Sequence, residues 1–242
     1  MDYPFGEIKN KLINEFWFPN IVEYSKILYP RLKINKKLRV LTLTHDSNHS
    51  EIEKLIKDKL SISENIVAWT YSHFKAIRIT SDLPPVIVLF GKKFEDALMI
   101  AELQLQKYLP FDLYNLDFST QEPIFEAGRL EREINCIEKV ILKQKEEKKE
   151  FILIYTTIIN SNVINLNLLA DESNRNYVTR WPGLILNKYP KIVNEKKLKI
   201  SCLEELIFQI AKKHGYFFLQ KHKTHQYNDN KMILSIAGLL GR

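Results

Sequence analysis

Glycine is scarce, at 7 of 242 residues, and the shortage bears on function first. A loop that brings backbone close to a cofactor depends on residues without a Cβ. The stretch placed for such work, THDSNHSE after the strand-like KLRVLTL, holds none. Cysteine is almost missing too. Cys136 and Cys202 stand far apart and outside any CxxC spacing, which excludes a disulfide framework and a thiolate zinc site. No apolar run approaches the ~20 residues of a membrane-spanning helix, and the start, MDYPFGEIKNKLINE, lacks the basic-then-apolar order of a secretory leader. A cytoplasmic protein without membrane association is expected.

What is present suits a large single core, since 45% of the residues are hydrophobic. The net charge of +7 fits nucleic acid or another acidic partner. It fits a solvated, lysine-rich surface equally well.

Residues 7–29 carry Leu12, Ile13, Phe16, Trp17, Ile21 and Val22 near helical spacing, with Pro19 expected to mark a kink or a break between two helices. Residues 1–36 are therefore read as an N-terminal helical extension. Beyond them strand and helix patterns alternate. RVLTLT (39–44), NIVAWTY (65–71), PPVIVLF (84–90), FDLYNLDF (111–118) and FILIYTTII (151–159) read as strands. Helical patterns follow the first four, over 51–60, 73–79, 94–109 and through Leu130, Ile134, Ile137 and Ile141. The alternation implies a parallel sheet with right-handed crossovers.

At the C-terminal end, Ser201 with Glu204 reads as a capping box for a helix through Leu203, Leu206, Ile207 and Ile210, closed by Gly215. Two strand-like runs follow, 215–227 and 231–240, separated by the turn-like NDN. The last strand must then enter the sheet antiparallel to its neighbours.

This order resembles the class I S-adenosylmethionine-dependent methyltransferase fold. The resemblance implies an α/β, Rossmann-like, doubly wound and mostly parallel seven-stranded sheet with an antiparallel C-terminal strand. That domain spans 37–242, with an irregular insertion at about 160–200. The resemblance also implies four ligand positions. The turn after the first strand would hold the cofactor's methionine part, through Thr42, Thr44 and Asp46. An acid ending the second strand would bind the ribose, yet Tyr71 stands there; an acid after the third would contact adenine, yet Lys92 follows Gly91. The fourth strand's substrate-facing motif survives as Asn115 and Asp117, the candidate catalytic pair if the protein is active, without the paired prolines that grip a flipped base.

Two readings follow. In the first the fold has lost methyl transfer, takes no cofactor, and serves as a binding or scaffolding subunit of a nucleic-acid-handling assembly. In the second it is an active S-adenosylmethionine-dependent methyltransferase acting on nucleic acid or a small acceptor. A dinucleotide or ATP site is not expected, because Ser50, Glu51 and Glu53 read as a capping box that would occupy the helix amides and repel a pyrophosphate. No metal site is expected either: His45, Asp46 and His49 sit in a turn that does not hold them on one face. Asp112 is expected near solvent at the start of the fourth strand.

For nucleic acid the candidates are Lys221, His222, Lys223, His225, Tyr227 and Lys231, on a strand expected to project like an arm; a charged edge that discourages aggregation explains them equally. For a protein partner they are Trp181, Leu184 and Tyr189 in the irregular loop.

Overall fold

The computed structural model describes residues 5–28, 37–44, 49–90, 94, 110–118, 129–146, 150–159, 195–228 and 232–242. The helical start comprises α1 (Phe5–Lys11), a π-helical segment (Leu12–Trp17) and α2 (Phe18–Leu28). There follow β1 (Val40–Leu43), α3 (Ser50–Lys57), β2 (Ile66–Thr70), α4 (His73–Asp82), β3 (Ile87–Phe90), β4 (Leu113–Asp117), α5 (Arg129–Glu146) and β5 (Phe151–Ile159). The chain closes with α6 (Glu195–Lys213), β6 (Phe217–Phe218), β7 (Lys223–Asn228) and β8 (Met232–Gly241). Of the helix expected at 94–109, only Phe94 lies within the described residues, and it is helical. Among the described residues no helix is long and apolar enough to cross a membrane.

The strands form one sheet in the order β3-β2-β1-β4-β5-β8-β6, with β7 also pairing β8. Strands β1 to β5 run parallel. β8 runs antiparallel to β5 over the full length of β5, from Phe151 opposite Leu240 to Ile159 opposite Met232. A reversed strand wedged beside the fifth is the arrangement of the class I methyltransferase-like fold, and it is present here.

Eight strands appear instead of seven because the run 215–227 is interrupted. Phe218 faces Leu240 and Lys223 faces Ala237, so residues 219–222 stand opposite only Gly238 and Leu239. The excess bulges out, and one strand becomes β6 and β7. At the bulge the Phe218 ring lies over Gly238, where a Cβ would come within 2.6 Å of its Cδ1. Only glycine fits beneath that ring as it stands.

Alternation along the strands gives the sheet two apolar faces. Leu41, Leu43, Tyr114, Leu153 and Tyr155 pack with Ile137 and Val140 of α5 and Ile207 of α6. Val40, Ile66, Leu113, Ile152 and Ile154 pack with Ile52 of α3, Ile79 of α4 and the helical start. β5 is apolar at nearly every position because both its faces are covered.

The helical start does not break at Pro19. The turn before it widens, with Phe18 N–H donating to the Ile13 carbonyl five residues back. Pro19 has no N–H and its ring crowds the preceding turn, and a π-helical segment absorbs both effects. Leu12, Ile13, Phe16, Trp17, Ile21 and Tyr24 from this start are buried against the sheet.

Neither serine expected to cap a helix stands at an N-cap. His49 precedes α3 in the left-handed region with φ of 49°, and its carbonyl accepts from Ile52 N at 2.9 Å and Glu53 N at 3.0 Å. The chain turn at His49 places Ser50 already inside the helix. Similarly α6 begins at Glu195, which puts Ser201 and Glu204 in its interior. Gly215 does end that helix, with φ of 78°.

Candidate functional site

Winding outward from β1 to β3 and then back to β4 places the topological switch point between β1 and β4, the position at which open α/β sheets form a ligand crevice outside the carboxyl ends of their strands. Thr42 pairs with Asn115 there, and Asn115 Nδ2 donates to Thr42 Oγ1 at 3.2 Å. Thr44 and Asp117 each lie two residues farther along, so they share that face. Asp117 faces Thr156, which faces Ser235. A buried polar row thus crosses β4, β5 and β8.

The helical start covers this row. Lys9 Nζ lies 3.3 Å from Asp117 Oδ2, with side-chain exposures of 9% and 1%. Trp17 Nε1 donates to Ser235 Oγ at 3.0 Å, and the Ser235 and Thr156 hydroxyls pair at 2.8 Å. Lys9 also sits 5.9 Å from the Trp17 ring centroid. Farther along, the Tyr24 hydroxyl donates to the Ala237 carbonyl at 3.3 Å; burial, then the Glu23 charge, push its pKa up to about 12.

A carboxylate that orients or deprotonates a substrate needs a free lone pair facing it. Asp117 is instead sealed from solvent and held by an ammonium from the helical start. Lys9 was missed in the sequence, though a signal existed: it stands at i, i+3, i+4 and i+7 with Leu12, Ile13 and Phe16, on the inward stripe.

The other candidates are placed as follows. Thr42 and Thr44 are buried, and Thr44 N donates to the Trp69 carbonyl at 2.9 Å. Tyr71 is exposed beyond β2, and the Thr70 hydroxyl accepts from Ser72 N at 3.2 Å. No carboxylate follows β2 until Asp82 at the end of α4. Asp112 is buried, not near solvent, because its Oδ2 accepts from Arg39 N at 2.8 Å at the start of β1. Asp46, Lys92, Trp181, Leu184, Tyr189 and Lys231 lie outside the described residues.

Several buried acceptors at this edge have no hydrogen-bond partner among the described residues: Thr44 Oγ1, Asn115 Oδ1 and both oxygens of Glu51. His49 is also buried, with Nε2 3.6 Å from Asp82 Oδ2. The end of β2 does not fit an adenosyl cofactor held as the resemblance implies, because the ribose acid has no counterpart there; the fourth strand's acid, placed to face a substrate, is engaged by Lys9. Among the described residues no cluster of three His, Cys, Asp or Glu side chains is arranged to hold a metal ion.

The C-terminal strand does not project as an arm. Every residue of β7 pairs with β8, from Lys223 opposite Ala237 to Asn228 opposite Met232, since the bulge restores pairing beyond it. Lys223 Nζ donates to Glu23 on α2, His225 stacks on Phe16 with centroids 5.4 Å apart, and His222 Nε2 lies 3.4 Å from Glu204 Oε1. Lys221 is exposed. Of Tyr227 the backbone alone, in β7, is described.

No protein-family model matches the chain, and no curated protein matches its sequence. Similar solved structures include a methyltransferase homologue from Pyrococcus horikoshii, at 12% identity and TM-score 0.44 over 89% of this chain and 66% of that one. The plantazolicin methyltransferase BamL, solved with a triazolic desmethylPZN analogue and SAH, shows 11% identity and TM-score 0.47 over 96% and 88%. A TehB-like SAM-dependent methyltransferase from Corynebacterium glutamicum shows 6% identity and TM-score 0.40 over 98% and 96%. The fold assignment rests on the strand order and the reversed β8.

Proposed function

We propose that this chain is a methyltransferase-like protein that has lost methyl transfer and acts as a binding or scaffolding subunit in a nucleic-acid-handling assembly. One observation carries the reading: the acid placed to face a substrate, Asp117, is buried and paired with Lys9 at 3.3 Å. Freeing it for chemistry requires moving Lys9 away, and leaving a buried carboxylate without its counter-charge costs about 3–5 kcal/mol. The β2 end adds support, because Tyr71 stands where two ribose hydroxyls would need a carboxylate.

A second reading, an active S-adenosylmethionine-dependent methyltransferase, draws on the unpartnered acceptors of Thr44, Glu51 and Asn115. A ligand rich in hydrogen-bond donors would satisfy them. Calorimetric titration with S-adenosylmethionine separates the two. Silence at millimolar ligand is expected. Micromolar binding that weakens on Glu51→Gln or Thr44→Val would install the enzyme reading in its place.

A further inference from the structure

We propose that the outer face of α4, with the adjoining end of β3, binds single-stranded nucleic acid by stacking and phosphate contact. The inference rests on the nucleic-acid part of the functional reading and gives it a surface. It does not depend on whether the crevice is catalytic.

Helix α4 buries Ala76 and Ile79 against the sheet. At 100° per residue the opposite side presents Phe74, Ile77 and Arg78. Phe74 is 85% exposed and Ile77 54%, while Phe90, at the end of the edge strand β3, is 53% exposed. The His73 ring meets Phe90 edge-on, with centroids 5.5 Å apart and planes at 66°. Tyr71, also exposed, lies beneath Lys75, whose Nζ is 5.9 Å from the ring centroid. Rings so open to water contribute little to folding, and their clustering marks a contact surface.

Charge selects the occupant. The ionised side chains of α4 ahead of Asp82 are the cations Lys75 and Arg78. Asp82 itself is shared, 3.3 Å from Arg78 and 3.6 Å from His49. Exposed rings interleaved with cations on a chain of net charge +7 match a strand of stacked bases with flanking phosphates. On the rival basic surface Glu23 holds Lys223 and Glu204 holds His222, and no described ring there is as open to solvent as Phe74. Stacking reads neither base identity nor sugar, so DNA and RNA strands are expected to bind alike. A duplex, whose bases are already stacked, is expected to bind more weakly.

The test is fluorescence anisotropy of the full chain with labelled oligo(dT) and oligo(U), and with a duplex of equal length. Phe74→Ala and Phe90→Ala are expected to weaken single-strand binding about tenfold each without moving the thermal unfolding midpoint. Lys75→Ala or Arg78→Ala should flatten the plot of log affinity against log salt by about 0.7 for each phosphate no longer neutralised. Unchanged binding in the α4 variants, with weakened binding in Lys221→Ala/Lys223→Ala, would overturn this surface while leaving a nucleic-acid partner in place. No binding by the unaltered chain would overturn both. Disappearance of a copurifying protein on Phe74→Ala, with no oligonucleotide bound, would make this face a protein interface and sink the proposal.

Discussion

The Trp17 indole donates a 3.0 Å hydrogen bond to the Ser235 hydroxyl, joining the helical start to the reversed strand 218 residues away. Ser235 sits in the row that Thr156 and Asp117 continue, so the bond fixes the helical start over the crevice. Trp17→Phe keeps most of the apolar bulk and deletes the donor, for an expected loss of about 1 kcal/mol. Trp17→Ala also opens a cavity and should cost about 3–5 kcal/mol. Urea unfolding followed by far-ultraviolet dichroism reads both as a lower midpoint at constant slope. If Trp17→Ala leaves the midpoint in place, the helical start is not part of the cooperative core.

Lys9 and Asp117 test the crevice. Lys9→Met leaves a buried carboxylate without its counter-charge, and Asp117→Leu does the same to a buried ammonium; each should cost about 3–5 kcal/mol. The double variant should recover most of that loss, because two apolar side chains of similar volume replace a pair whose desolvation offsets its attraction. A double-mutant cycle measures the coupling directly. Additive losses would show that the two charges do not act on each other, and would remove the observation on which the functional reading stands.

The succession of strands and helices was legible in the sequence, since branched runs such as RVLTLT and FILIYTTII alternate with amphipathic patterns and the turn-like NDN composition pointed to a reversed last strand; the order of strands within the sheet came with the family resemblance. The bulge was not, because the side chain at its edge, Phe218, acts through Gly238 on another strand. Local patterns also misled at Ser50 and Ser201, where a Ser with Glu three residues on matches a capping box. What decides where a helix begins is the backbone ahead of it: the left-handed turn at His49 for α3, and for α6 a start at Glu195, well before Ser201. Exposure at Phe74 was hidden for a similar reason. Apolar residues at 74, 76, 77 and 79 read simply as a helix, and only the buried side chosen by Ala76 and Ile79 turns the others outward.

Acid should loosen the contact between α6 and β7. Burial pulls the Glu204 carboxyl up, but the His222 and Thr224 hydrogen bonds and the charges of His222 and Lys221 outweigh it and hold the pKa below the ordinary 4.5. A carboxyl depressed in the folded state contributes stability above its unfolded value and loses it as pH falls through the folded one. Glu204→Gln should therefore cost about 1 kcal/mol at neutral pH. The gap to the unaltered chain should close progressively below the ordinary value. Urea midpoints measured below that value check it, and a gap that widens as pH falls through that lower range would contradict the assignment.

Gly238→Ala probes the bulge. The added Cβ would stand within 2.6 Å of Phe218 Cδ1, so the ring must swing away. That ring also leans on His222, with centroids 5.1 Å apart, and His222 in turn lies beside Glu204. The displacement should therefore loosen residues 219–222 as well as strain the sheet, at about 1–3 kcal/mol. Phe218→Ala carries its own loss of packing, but adding Gly238→Ala to it should cost almost nothing more, because the clash has gone. Unfolding midpoints of the two single variants and the double close the cycle. Equal cost for Gly238→Ala with and without the ring would mean that the glycine answers to backbone conformation and not to Phe218.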